Sequence, residues 1–294
     1  MPHWLERAIG RFREFAYGGA VERPKIGLAL GGGFARGIAH LGVLRTLEQN
    51  NIPIDCIAGT SAGAMLGISY ASGQPIEQIA RRAAATRFSD FGQWKLSWMG
   101  LATNNRMDGY LRRYMGVTTF AELKIPLAIA ATDLETGEAV FFREGPLGPA
   151  LRASCAYPGM FCPVEFQGRL LVDGFLAAAV PVEAVREMGA EVIIAVYLQD
   201  DSDRKPTSAV DVLGRSFSIL QRRADLVWRR AADVIIEPRV TEFGWDDFGK
   251  TPQLVAAGEE AARAALNEIQ AAIEHARKKK RAHHFSHFRH EQKE

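Results

Sequence analysis

The chain has 294 residues, 47% of them hydrophobic and 24% charged. That balance excludes a chain too polar to bury a core and a membrane span read from apolar runs, since none reaches the roughly 18 residues a crossing helix needs. The net charge of +2 conceals an asymmetry: residues 277–294 hold seven Lys/Arg against two Glu, so the body is slightly acidic and no nucleic-acid partner is expected for it. The N-terminus lacks the apolar stretch of a signal peptide. Three cysteines (Cys56, Cys155, Cys162) form no C-x-x-C pair, so a reduced, cytoplasmic setting is expected over a disulfide framework.

In chain order, residues 4–16 place Trp4, Leu5, Ala8, Ile9, Phe12, Phe15 and Ala16 on one helical face, with Arg7, Arg11 and Arg13 off it. Two readings stay open: a helix packed on the domain, or an anchor at a lipid interface. Residues 1–23 are read as this amphipathic segment. Lys25 to Leu30 reads as a buried strand, running into Gly31-Gly32-Gly33-Phe34-Ala35-Arg36-Gly37 and a helix from Ile38 to Asn50. The glycine loop lacks the Lys-Ser/Thr of a P-loop, and Arg36 stands where a dinucleotide fingerprint needs its third glycine. An anion hole of backbone N–H groups at a helix N-terminus fits better. His40, one turn into that helix, reads as a packed, hydrogen-bonded side chain.

A second apolar run ends in Gly59-Thr60-Ser61-Ala62-Gly63, followed by a small-residue helix to Ala71. Strand, Gly-x-Ser-x-Gly and helix in that order make a nucleophile elbow, with Gly59 and Gly63 small because the turn is crowded. A helix from Ile76 to Thr86 follows. Phe88 to Leu101 is rich in aromatic residues without periodicity, and reads either as a packed loop or as an apolar lid and acyl-chain wall. Asp108–Met115 and Leu147–Ser154 read as helices. Pro126–Thr132, Ala139–Arg143, Arg169–Val172, Glu191–Leu198 and Asp233–Pro238 read as strands. A helix begins at the Ser208-x-x-Asp211 cap, and a long alanine-rich one spans Leu254 to about Arg281. Residues 277–294 form a basic, His-rich tail, read as solvated or as touching lipid headgroups. Alternating strands and helices over 24–276 predict a single three-layer α/β/α domain with a mostly parallel central sheet.

Ser61 needs a group to take its proton. Behind Ser61, His275 lies within a predicted helix and the remaining histidines within the tail, so a Ser-His-Asp triad is poorly supported. Asp173, where a strand ends in Val172-Asp173-Gly174, is the better partner, with Gly174 leaving room for the carboxylate. A free Asp is a weak base at a pKa of about 3.9, so a Ser61–Asp173 dyad demands close approach and strong oxyanion donors.

With these pieces in place the chain resembles the patatin-like phospholipases, the small stand-alone bacterial type and the catalytic domain of neuropathy target esterase. Four blocks carry the resemblance: Gly31–Gly37, Gly59–Gly63, Arg152-Ala153-Ser154-Cys155-Ala156-Tyr157-Pro158-Gly159-Met160-Phe161, and Val172–Gly174. It implies a patatin-like fold and acyl-ester hydrolysis of phospholipids or lysophospholipids without metal or cofactor. It also implies Ser61 and Asp173 as the dyad and an oxyanion hole from Gly31, Gly32, Gly33 and Ala62. Arg36 would orient the glycine loop or meet a headgroup. Phe175, where the family has Gly or Ala, is expected to narrow the site or shift the carboxylate. The alternative is a non-catalytic lipid-binding or regulatory module on the same fold. Peripheral contact with the inner membrane face, through residues 1–16 and the tail, is expected; the oligomeric state stays open.

Overall fold

The structure is a computed structural model that describes residues 23–199, 205, 209–224 and 226–291. The expected amphipathic helix at 4–16 and the Ser208 cap lie outside the described residues. The chain divides into two units, 25–272 and a smaller one made of 1–24 and 273–294.

The larger unit starts with β1 (Ile26–Leu30), a 3-10 turn (Phe34–Ile38), α1 (Ala39–Gln49), β2 (Cys56–Thr60), α2 (Ala62–Ala71) and α3 (Ile76–Ala85). Next come α4 (Phe88–Phe91), β3 (Gln93–Ser97), β4 (Gly100–Thr103), α5 (Met107–Tyr114), β5 (Leu127–Asp133), β6 (Ala139–Phe142), α6 (Leu147–Ser154), β7 (Val164–Phe166) and β8 (Arg169–Asp173). The series ends with α7 (Phe175–Ala178), α8 (Val182–Glu187), β9 (Val192–Val196), α9 (Ala209–Ala224), α10 (Leu226–Arg229), β10 (Val234–Ile236) and α11 (Thr251–Glu291).

The main sheet runs β10-β9-β1-β2-β5-β8-β7, with β6 also on β5. β10, β9, β1, β2 and β5 are parallel neighbours, while β6, β7 and β8 are antiparallel. The mostly parallel sheet expected from the sequence is therefore present. The strand carrying Asp173 belongs to its antiparallel part.

Residue size separates the two faces. One face carries Gly27, Ala29, Cys56, Ala58, Ala128 and Ala195, and α8 presses Val185 onto it. A Cβ on Gly27 would lie 2.9 Å from that of Val185, so small residues let the helix settle against the strands. The alternate positions, Leu30 and Ile57 among them, point at α2, whose Gly67 lies beside both. β1, β2, β5 and β9 are buried along their whole length, as fits parallel strands covered on both faces.

One reading is corrected and one short strand is added. Phe88–Leu101 is no loop: it forms α4 and a two-stranded hairpin, β3 with β4, apart from the main sheet. Its alternation was hidden by a register shift between Trp94 and Ser97. α11 runs on to Glu291, past the end expected near Arg281. β7 was not read, because three residues carry too little periodicity.

In the larger unit α11 crosses α1 at two glycines. A Cβ on Gly42 would stand 2.0 Å from Val255 O, and one on Gly258 would stand 1.9 Å from Ala39 O. Arg45 spans the same crossing to Glu259 at 2.8 Å. Gly258→Val is expected to lower stability by about 2 kcal/mol or more, because the two backbones must separate. A urea midpoint equal to wild type would refute this contact.

Candidate active site

Register brings the two candidate residues together. Thr60 pairs with Ala130 across β2 and β5, and Asp173 pairs with Ala131 across β5 and β8. Ser61 is one residue past Thr60, so Ser61, Ala131 and Asp173 stand in one row across the sheet. Two strand spacings, about 10 Å, separate the outer backbones. The side chains close that gap: the Ser61 hydroxyl lies within reach of the Asp173 carboxylate and favours its ionised form.

Ser61 sits at φ 54°, ψ −118°, a strained conformation for a residue with a side chain. The elbow forces it. A Cβ on Gly59 would lie 2.5 Å from Ala64 N, and one on Gly63 would lie 2.3 Å from Leu30 O. Gly174 is constrained the same way, its Cβ position being 2.5 Å from Ala130 O. These three glycines keep elbow, helix and strand in contact.

The segment after α6 joins both residues, a part the motif reading missed. Ser154 Oγ, fully buried, accepts the Ser61 N–H at 2.8 Å. Ala156 O accepts the Asp173 N–H at 3.0 Å. Cys155 lies between them, near the Ser61 hydroxyl, and burial pushes its thiol well above its usual range. The Asp173 carbonyl is held by Thr132 Oγ1 at 2.9 Å. Contacts spread over the Ser154, Cys155 and Thr132 side chains and one backbone carbonyl leave no sequence signature of their own. Only the quoted Arg152–Phe161 block pointed here.

The Gly31–Gly33 loop lies beside the serine, with the Cβ position of Gly32 3.4 Å from Ser61 Cβ. Gly31 departs from its expected role. Its N–H donates to Val196 O at 3.0 Å and its carbonyl accepts from His40 Nε2 at 2.8 Å, so both groups are committed to holding the loop. Among the described residues the N–H groups of Gly32, Gly33 and Ala62 make no hydrogen bond. His40 is fully buried, and burial lowers it to about 4, so it is a neutral donor that pins the loop. Arg36 is 6% exposed, which favours a role within the loop over contact with a headgroup.

Asp173 is 1% exposed. Burial lifts its carboxyl from the ordinary 3.8 to about 7, against the pull of the Phe175 N–H and the Ser61 hydroxyl. The Phe175 N–H reaches Oδ1 at 3.0 Å. The Phe175 ring turns elsewhere, stacked on Tyr157 at 5.0 Å and edge-on to Phe217 at 5.5 Å. It is absent from the pocket wall, so the expected narrowing of the site is not seen.

An apolar pocket opens at Ser61. Its wall follows one face of α2, through Ala62, Met65, Leu66 and Ser69, for about 10 Å at 1.5 Å per residue. α3 and α5 supply the opposite wall through Ile79, Met107 and Tyr110. Gln74, Arg82 and Tyr114 also line it, with Gln74 Nε2 donating to Tyr114 O at 2.8 Å and Arg82 Nη1 to both. The Phe88–Leu101 stretch, expected to be the wall, supplies Phe91 alone. No group of three or more His, Cys, Asp or Glu suited to a metal occurs among the described residues. No helix among them is long and apolar enough to cross a membrane.

The raised Asp173 has a thermodynamic consequence. The folded chain keeps a proton on it that the unfolded chain releases, so its contribution to stability falls as pH rises from about 4 to about 7. Asp173→Asn cannot ionise. It is expected to be more stable than wild type near pH 8, by at most on the order of 4 kcal/mol, and the gain is expected to vanish toward pH 4. Urea unfolding at several pH values checks this; a difference independent of pH would contradict it.

Comparison with known proteins bears on the fold and the family. The family model for patatin-like phospholipase matches residues 28–186, more than half of the chain. An uncharacterized NTE family protein of Mycobacterium tuberculosis is 34% identical over 200 residues, 65% of this chain and 55% of that protein. Lysophospholipase NTE1 of Meyerozyma guilliermondii is 32% identical over 205 residues, 67% of this chain and 14% of that protein. The chain thus spans about half the length of the mycobacterial relative and a small part of the yeast one. Among solved structures, VipD from Legionella pneumophila aligns with a TM-score of 0.48 at 13% identity, covering 85% of this chain and 67% of that one. Human GIVD cytosolic phospholipase A2 aligns with a TM-score of 0.47 at 12% identity, covering 87% and 60%. The matched span holds β1 with its glycine loop, the Ser61 elbow and the Asp173 strand, and the chain belongs to the patatin-like phospholipase family.

Proposed function

We propose that this chain is a serine acyl-ester hydrolase acting on phospholipids or lysophospholipids through a Ser61–Asp173 dyad. The observation that carries this reading is a strained serine facing a buried carboxyl whose pKa burial raises to about 7, at an apolar pocket. An ordinary aspartate would hold the serine proton too weakly. A carboxylate raised to about 7 is matched to proton transfer near neutral pH.

Asp173 takes the Ser61 proton as Oγ attacks the ester carbonyl. The N–H groups of Gly32, Gly33 and Ala62 receive the oxyanion that forms, with the positive end of α2 behind them. Asp173 returns the proton to the leaving alcohol. Water then gives its proton to Asp173 and attacks the acyl carbonyl, and Asp173 returns that proton to Ser61 Oγ as the fatty acid leaves. The strain at Ser61 and its N–H bond to Ser154 hold Oγ toward the carboxylate throughout. The pocket suits one acyl chain laid along α2. The domain limits follow the sequence reading, with residues 24–276 as the hydrolase body.

Ser61→Ala is expected to lower fatty-acid release from a soluble short-chain ester by at least about a thousandfold while the unfolding midpoint stays put. Wild-type kcat/KM is expected to rise from the acid side with a midpoint of about 7, as Asp173 ionises. Full turnover by Ser61→Ala, or failure of a fluorophosphonate to label Ser61, would refute the assignment.

The length of the pocket along α2 sets a chain-length limit. Each methylene buried along α2 contributes about 0.8 kcal/mol, up to roughly fourfold in kcat/KM. A series of monomeric esters of rising length is expected to gain by this factor and then stop. Ser69→Trp, which fills the middle of the pocket, is expected to move the stop to a shorter chain. An unchanged length profile would remove the acyl chain from this pocket.

A further inference from the structure

The hairpin β3–β4 has no part in the dyad, and its composition is unusual for its position. Trp98 and Met99 occupy the two turn residues between Ser97 and Gly100, where Gly, Asn and Asp are ordinarily favoured. Trp98 is fully exposed, and Trp94, Met99 and Leu101 are 67%, 56% and 47% exposed. Four large apolar side chains in one short hairpin exceed the scattered exposure of an ordinary surface.

The base of the hairpin is held firmly. Met160 O accepts the N–H groups of Leu101 and Ala102 at 3.1 and 2.9 Å, and Ala102 O accepts that of Cys162 at 2.9 Å. A Cβ on Gly100 would lie 2.6 Å from the Phe161 backbone. The tip is therefore presented on a fixed support.

It is also continuous with the acyl pocket. The Trp94 ring packs on Phe88 at 4.9 Å, and Phe88 stacks on Phe161 at 5.8 Å. Phe161 and the neighbouring Phe91 both line the pocket that reaches Ser61.

Basic residues outnumber acidic ones in the sequence around the hairpin. Residues 87–113 carry Arg87, Lys95, Arg106, Arg112 and Arg113 against Asp90 and Asp108. Both acids are engaged locally, Asp90 with the Arg87 N–H at 2.7 Å and Asp108 with Arg152 at 3.5 Å. Apolar tip, tryptophans and a basic surround are the chemistry that seats a protein at an anionic lipid interface, with the rings at headgroup depth.

We infer that the β3–β4 hairpin docks this protein on an anionic lipid surface, inserting Trp98 and Met99 and bringing the pocket mouth to the bilayer. The surface differs from residues 1–16 and the C-terminal stretch, where the sequence placed membrane contact. The inference extends the lipid-hydrolase reading, but docking can be measured without turnover.

The test uses the full chain in the Ser61→Ala background and vesicles of phosphatidylcholine with phosphatidylglycerol. Trp98→Ser with Met99→Ser is expected to lower vesicle partitioning at least about tenfold, while Trp98→Phe keeps most of it. With Ser61 restored, the double variant is expected to keep wild-type turnover of a soluble ester and lose turnover on vesicles. Unchanged partitioning of the double variant would overturn the inference. So would a wild-type oligomer that the double variant dissolves, since the hairpin would then pair copies of the chain. If Ser61→Ala retained ester turnover, the hydrolase assignment would fail while the partitioning result stood.

Discussion

The burial of one carboxylate governs the rest of this structure. Asp173 has almost no access to water, and its ionised form is disfavoured accordingly. The two donors that reach it, the Phe175 N–H and the Ser61 hydroxyl, offset part of that penalty. The remainder raises its proton affinity to the range where a hydroxyl proton can be moved at neutral pH. The same remainder makes the folded state less stable above that range. Base strength and lost stability here are one quantity seen from two sides.

The surrounding fold is organised to hold that arrangement in place. β8 enters antiparallel and ends at Asp173, level with the end of β2, where the chain turns sharply into α2. The segment Ser154–Ala156 binds the backbone N–H of both residues, so their spacing does not depend on the pocket being filled. On the other side, His40 and Val196 take up both backbone groups of Gly31, which aligns the next residues of the loop with the serine. Neutral His40 does this without placing a charge near the site. Strain at Ser61 is tolerated because strand, helix and loop each press on the elbow through a glycine or a small residue.

Chain order and chemistry were legible from sequence where a residue type had few alternatives. Gly59, Gly63 and Gly174 admit no Cβ, and a serine between the first two has a narrow set of explanations. The positions of the histidines removed a triad and left Asp173. The buried parallel strands announced themselves as apolar runs because both their faces are covered. The hairpin did not, because a register shift broke its alternation and Trp-Met stands in its turn. The direction of the Phe175 ring was not legible either: sequence shows the size of a side chain, and only its neighbours, Tyr157 and Phe217, decide where it points.

By itself, then, the sequence determined the family and the strand-loop-helix units and singled out Ser61 and Asp173 as candidates, because each depends on local pattern or on steric limits at single positions. Tertiary structure alone decided how strong a base Asp173 is, since desolvation comes from residues distant in the chain. It decided that Gly31 is a fastener and that Gly32, Gly33 and Ala62 keep their N–H groups available, because partners for backbone groups are assigned in space. It also decided that the apolar pocket beside the serine is lined chiefly by α2, α3 and α5, with Phe91 alone from the aromatic stretch.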